Sequence, residues 1–259
     1  MKDIKTNVFL GYPIELENVC KVYPPTVKQI IENDLFAMYR ELIVIDQAKL
    51  DQLYTKNGDE KIEEQEFIPN PLEYLISLAY NDESIYALIL EAFKFFTKAD
   101  IFFDFNAKEI VFGKLSSLDG LTTDEEVAEK YLEFPRLDEN NYFDFQNLVR
   151  QAIGETPVEE PSKDPRIRRI KAKGKYREEI KIKENKSNLS FSSMLSSICC
   201  MGIGITPLNI GELTYAGIKE LLIRYQAKMS YDTDIAMKMV PLADTKNIKP
   251  KIWISDLED

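Results

Sequence analysis

Charge runs along this chain in three blocks, and that division constrains its architecture more than any other feature. Residues 1–160 carry 15 Lys+Arg against 32 Asp+Glu, a net of −17. Residues 161–187 reverse the sign with 11 against 4, and residues 188–259 are near balance with 7 against 8. An acidic block of that size repels itself on compaction, and the basic block is its available counter-charge. Between the two lies "ETPVEEPSKDP", which has three prolines, polar residues and no periodicity, as a linker does. The expected organisation is an acidic, mostly helical domain over 1–154, a Pro-containing then basic connector over 155–187, and a small helical module with a tail over 188–259.

Local patterns predict a mainly α fold with minor β. With 44% hydrophobic residues over 259 positions the chain can bury a real core. Val8–Leu10 and Ile14–Leu16 read as a hairpin around Gly11-Tyr12-Pro13. Thr26 followed by Gln29 is a capping box, with Val27, Ile30 and Ile31 facing inward. Further helices are expected over 34–45 and in "DQAKLDQLYTK", and residues 57–67 read as an acidic loop. Asn70-Pro71 opens another helix, and Asp82 a further one that buries Ile85, Leu88, Ile89, Ala92, Phe93 and Phe96 on one face. Aromatic and β-branched runs flanking "NAKE" predict a hairpin with strands near 101–105 and 109–113. A short acidic helix in "TTDEEVAEKYLEF" and a helix ending at Gly154 complete the domain. In the basic segment Ala172, Tyr176 and Ile180 form only a thin stripe, so this segment is expected to be flexible, or helical only when docked. Thr214 is an N-cap for a helix with Ile218, Leu221, Leu222 and Tyr225 on its face, and Asp232 or Thr233 is read as opening a further short helix.

Composition narrows the chemistry. The chain has no histidine, which removes imidazole-based nucleophile systems and histidine metal sites. Its three cysteines, Cys20, Cys199 and Cys200, suit neither a disulfide framework nor a structural zinc site. No catalytic, cofactor or metal residue is assigned. "SSICCMGIGITPLN", residues 196–209, carries adjacent cysteines and a G-x-G. It lacks the C-x-x-C spacing of a redox pair, the Gly-Lys-Ser/Thr of a phosphate loop and the third glycine of a dinucleotide loop. It lies in a run without charge from Ser187 to Gly211, yet six serines and two asparagines argue against a membrane span. A buried helix with small residues and a turn is the expected reading. The start of the sequence has no secretory signature, and a reducing, cytoplasmic setting is expected.

The remaining candidates are binding surfaces. Arg166, Arg168, Arg169, Lys171, Lys173, Lys175 and Arg177 make a dense basic segment. Only Tyr176 offers base stacking, so nucleic acid is disfavoured. The acidic domain of the same chain, or of a second copy, is the favoured partner. Five of the seven methionines follow residue 190. Met194, Met201, Ile218, Leu222, Tyr225, Met229, Met237 and Trp253 form the expected partner-binding set, since methionine suits adaptable apolar grooves.

Several stretches together carry a family likeness: "FLGYPIELENVCKVYPPTVKQII", "NPLEYL", "ILEAFKFFTK", "NYFDFQNLVRQAIGE", "ICCMGIGITPLNIGELTYAGIKELLIRYQ" and "KPKIWISDLED". They resemble the tail assembly chaperones of siphophages and prophages of Gram-positive bacteria, over most of the chain. The resemblance implies a helical, non-catalytic protein that binds the tape measure protein, and tube subunits besides, in the host cytoplasm. It also implies self-association. The chain departs from the usual form in its length and its internal basic connector. Two other roles compete: a structural component of the virion neck or tail, and an acidic decoy for a host DNA-binding defence protein.

Overall fold

The computed structural model describes residues 4–57, 59–62, 68–118, 124–184, 190–239 and 250. The fold is mainly α with minor β, as expected: the described residues form eleven α-helices, one sheet of two strands and one of three.

The chain opens with helix α1 (Ile4–Leu10). Sequence reading placed a strand there. In the fold Val8 is buried as a helical residue, and Gly11, at φ +79°, ends the helix. The hairpin lies one step later, β1 (Ile14–Leu16) against β2 (Cys20–Val22), with Asn18 taking the left-handed turn conformation at φ 60°. Thr26 caps α2 (Val27–Ile31) with the full capping box to Gln29. Val27 is the only buried residue of α2, and Ile31, one turn on at the last position of the helix, is exposed.

Helices α3 (Phe36–Val44), α4 (Gln47–Tyr54), α5 (Pro71–Asn81) and α6 (Glu83–Thr97) build the body. Asp46 caps α4, Asn70 and Glu73 form a capping box on α5, and Asp82 caps α6. These local signals were all present in sequence. Strands β3 (Ile101–Asp104) and β4 (Glu109–Phe112) form the expected hairpin, and β5 (Arg136–Leu137) extends it beyond α7 (Asp124–Leu132). Helix α8 (Tyr142–Ala152) ends at Gly154, φ +68°, where the Glu155 N–H bonds back to the Arg150 carbonyl.

The main core gathers around α6. Phe93, Phe96 and Phe145 are fully buried, and Phe93 and Phe145 stack with centroids 5.2 Å apart. A second, smaller cluster of Val27, Ile198, Ile210 and Ile218 lies under α10 (Phe191–Cys199) and α11 (Tyr215–Lys238). Helix α11 runs unbroken through Asp232 and Thr233, so the further short helix expected there is its continuation. Both residues are exposed on it, and no capping geometry interrupts it.

The 196–209 stretch also differs from expectation. On α10 only Ile198 is fully buried, while Cys200 is exposed. Gly202 and Gly204, at φ +70° and +81°, have open space where a Cβ would stand. Their role is the left-handed turn that stops α10, not close helix approach. Among the described residues no helix is long and apolar enough to cross a membrane.

Candidate functional site

The basic segment folds as helix α9 (Pro165–Glu184) and docks on α4. A 20-residue basic helix with few apolar positions is marginal alone, so its order comes from this contact. The docked face is charged rather than apolar. Arg168, Ala172, Lys175 and Glu179 fall at i, i+4, i+7 and i+11, which is one helix face. Ala172 is fully buried and the other three make ion pairs.

Two aspartates on the body organise this seam. Asp51, 1% exposed, is held in a bidentate pair by Arg168, with Nε to Oδ2 at 2.9 Å and Nη2 to Oδ1. Gln47 Nε2 donates a third bond to it at 3.2 Å. A carboxylate this deeply buried needs such partners, because an unpaired charge there costs several kcal/mol on the order of magnitude. Asp46 caps α4 by accepting from the Lys49 N–H, pairs with Lys175, and lies 3.5 Å from Arg150. Glu179 returns charge to α4, accepting from Lys49 at 2.6 Å and Gln52 at 3.1 Å. Arg169 donates to the Asp59 carbonyl at 2.8 Å, and Lys171 pairs with Glu159 at 3.1 Å.

Behind this seam α8 closes the end of α3. Gln146 Nε2 donates to the carbonyls of Ile43 and Ile45 at 2.7 and 2.8 Å, and Arg150 donates to that of Val44. These carbonyls have no partner within α3, so two polar side chains of α8 complete the helix end. Burial lowers the Arg150 guanidinium from its usual range, and Asp46 and Glu155 oppose that shift. A cleft of about 470 Å³ opens beside the seam, bounded by the starts of α5 and α8, the 158–162 strap, Arg168 and Lys171. Its apolar floor of Leu72, Tyr142 and Phe143 meets a rim holding Glu139, Glu159 and Glu160.

The C-terminal module is joined to the body through backbone as well as side chains. Val27 N–H donates to the Leu213 carbonyl and Tyr215 N–H to the Pro25 carbonyl, both at 2.9 Å. Tyr215 packs edge-on against Phe36 and Phe191, and Lys219 Nζ donates to the Ile153 carbonyl at 3.0 Å. Burial lowers the Lys219 ammonium from its ordinary range, against the opposing influence of Glu155.

The expected partner-binding residues divide along α11. Ile218 is fully buried in the module's own cluster and is core rather than surface. Met194, Met201 and Leu222 are half-buried against it, and Tyr225 is half-buried. Met229 and Met237 are exposed, at 48% and 50%. Trp253 lies outside the described residues, as does most of the 57–67 acidic loop. Of the basic residues, Arg168, Lys171 and Lys175 are engaged at the seam, Lys173 stands 3.7 Å from Asp59, and Arg166 and Arg177 face outward. Sequence reading did not find the anchors on the other side of the seam, Asp46 and Asp51. Their signal was a pair of carboxylates five residues apart that opens and then lies within one helix.

Residues 182–258 match a family model described as YomV second domain, a family associated with Bacillus prophages. The C-terminal segment is therefore similar to a phage-related domain. The matched segment is less than a third of the chain. It begins in the last turn of α9 and takes in α10 and α11. No curated protein and no solved structure matches the chain.

Proposed function

We propose that this protein is a non-catalytic phage tail assembly chaperone that holds a helix of the tape measure protein, with tube subunits as a second client. The observation that carries the reading is the α11 stripe. Ile218, Leu222, Tyr225 and Met229 share one helix face, and burial falls along it from complete to half-exposed. The face that packs inside the module thus continues beyond α10, and Met237 lies two turns further on. An amphipathic client helix laid along this continuation would extend packing the module already uses. Methionine side chains adapt to varied partners, as a chaperone surface requires. The acidic decoy role fits less well, since α9 covers Asp46 and Asp51 and removes that face from any phosphate-like display.

The test is co-expression with the tape measure protein of the same phage. A soluble complex should purify, and M229D/M237D should abolish it while the chain itself stays folded. Unchanged tape measure solubility and no complex would end the proposal. Stoichiometric presence of the chain in purified virions would replace it with a structural role.

A further inference from the structure

Helix α9 has a second face, opposite the seam. Arg166, Ile170, Lys173, Arg177 and Lys181 follow one another at helical spacing and point away from α4. Ile170 is 70% exposed among these cations. Among the described residues Arg177 and Lys181 make no ion pair, and Lys173 has only the distant, exposed Asp59.

Helix α7 carries the counterpart. It packs on the three-stranded sheet through Tyr131, whose hydroxyl donates to Asp104 at 2.5 Å and whose ring meets Phe102. The opposite face presents Glu125 and Glu129, followed by Glu133 in the turn just after the helix, all exposed, with Leu132 beside them at 73% exposure. Among the described residues Glu125 and Glu129 make no ion pair, and Glu133 has only the exposed Lys130 at 2.8 Å.

The two rows match in spacing. Lys173, Arg177 and Lys181 repeat every four residues, as do Glu125, Glu129 and Glu133, so each row spans about 12 Å. Antiparallel docking sets Lys173, Arg177 and Lys181 opposite Glu133, Glu129 and Glu125, with Ile170 about 6 Å along the axis from Leu132. Among the described residues no ion pair joins the two rows within one chain.

We propose that the outward row of α9 binds the outward row of α7 on a second copy of this chain. Each copy carries both rows, so a two-fold pair in which they face one another forms the contact twice. The contact is mostly charge around two apolar side chains, so it is weak and salt-dependent. It is independent of the tape measure reading, since neither row lies on α11.

Sedimentation velocity of the full chain tests it. The wild type should dimerise at about 50 mM salt and dissociate at about 500 mM. R177E/K181E and E125K/E129K should each weaken dimerisation about tenfold or more. Far-UV circular dichroism should stay unchanged, since the four side chains are exposed. Combining all four substitutions in one chain, or mixing the two variants, should restore the dimer. A wild type that is monomeric at low salt overturns the proposal. So does a dimer indifferent to either reversal, or one that the combined variant does not recover. A monomer that binds duplex DNA through Arg177 and Lys181 would also overturn it, assigning the row to phosphate.

Discussion

The body and the C-terminal module solve the same packing problem at different scales. Around α6 the body buries Phe93, Phe96 and Phe145 completely, with α3, β2, β3 and α8 contributing to one continuous core. Among the described residues the module fully encloses only Val27, Ile198 and Ile218 in its cluster, and Val27 belongs to the body. A core of that size cannot offset the conformational entropy of ordering α10 and α11 alone. The module is therefore stable as a docked unit, and its order depends on the Val27, Pro25 and Tyr215 contacts. Helix α9 is a third case, held to the body by charge with almost no apolar burial.

Breaking these three kinds of contact should give graded results. Phe145→Ala removes a fully buried ring stacked on Phe93 and should cost about 3–5 kcal/mol, read as a lowered denaturation midpoint of the whole chain. Ile218→Ala should cost about 2–4 kcal/mol locally. Hydrogen exchange would then speed up across α10 and α11 while α6 keeps its protection. Equal loss of protection in α6 would show that the module and body share one cooperative core. Arg168→Ala leaves Asp51 buried with only Gln47 as side-chain partner, and should cost about 1–3 kcal/mol, read as faster exchange in α9. The smallest effect sharpens the comparison without perturbing it. Burial pushes the Cys20 thiol up to about 12, while Cys200 is exposed. Iodoacetamide at pH 8 should modify Cys200 readily and Cys20 only after the body unfolds.

Local signals were legible because their partners lie within a few residues. The caps at Thr26, Asn70, Asp82 and Thr214 each bond to a backbone N–H two or three positions on. The "NAKE" hairpin closed over a short turn for the same reason. Reading failed where the deciding partner was remote. The Val8 run suits a strand by composition and is helical because α8 and α11 pack against it. The turn at Gly202 and Gly204 was legible, but the close helix approach expected there is absent, because open space surrounds both glycines. At the candidate sites the basic segment was visible, but Asp46 and Asp51 were two acids among 32 in their block.

What the amino-acid sequence determined alone was the menu of elements, the separation of charge and the absence of imidazole chemistry. These follow from residue identity and short-range spacing, and no folding event alters them. Tertiary structure decided which side of each helix became surface. Helix α9 has cations all around it, and only the position of α4 divides them into a seam around Arg168 and an outward row around Arg177. Helix α11 has one apolar face, and only the length of α10 decides where that face stops being core. Burial and charge pairing depend on atoms far apart in the chain, so spacing along the sequence could propose these surfaces but not choose between them.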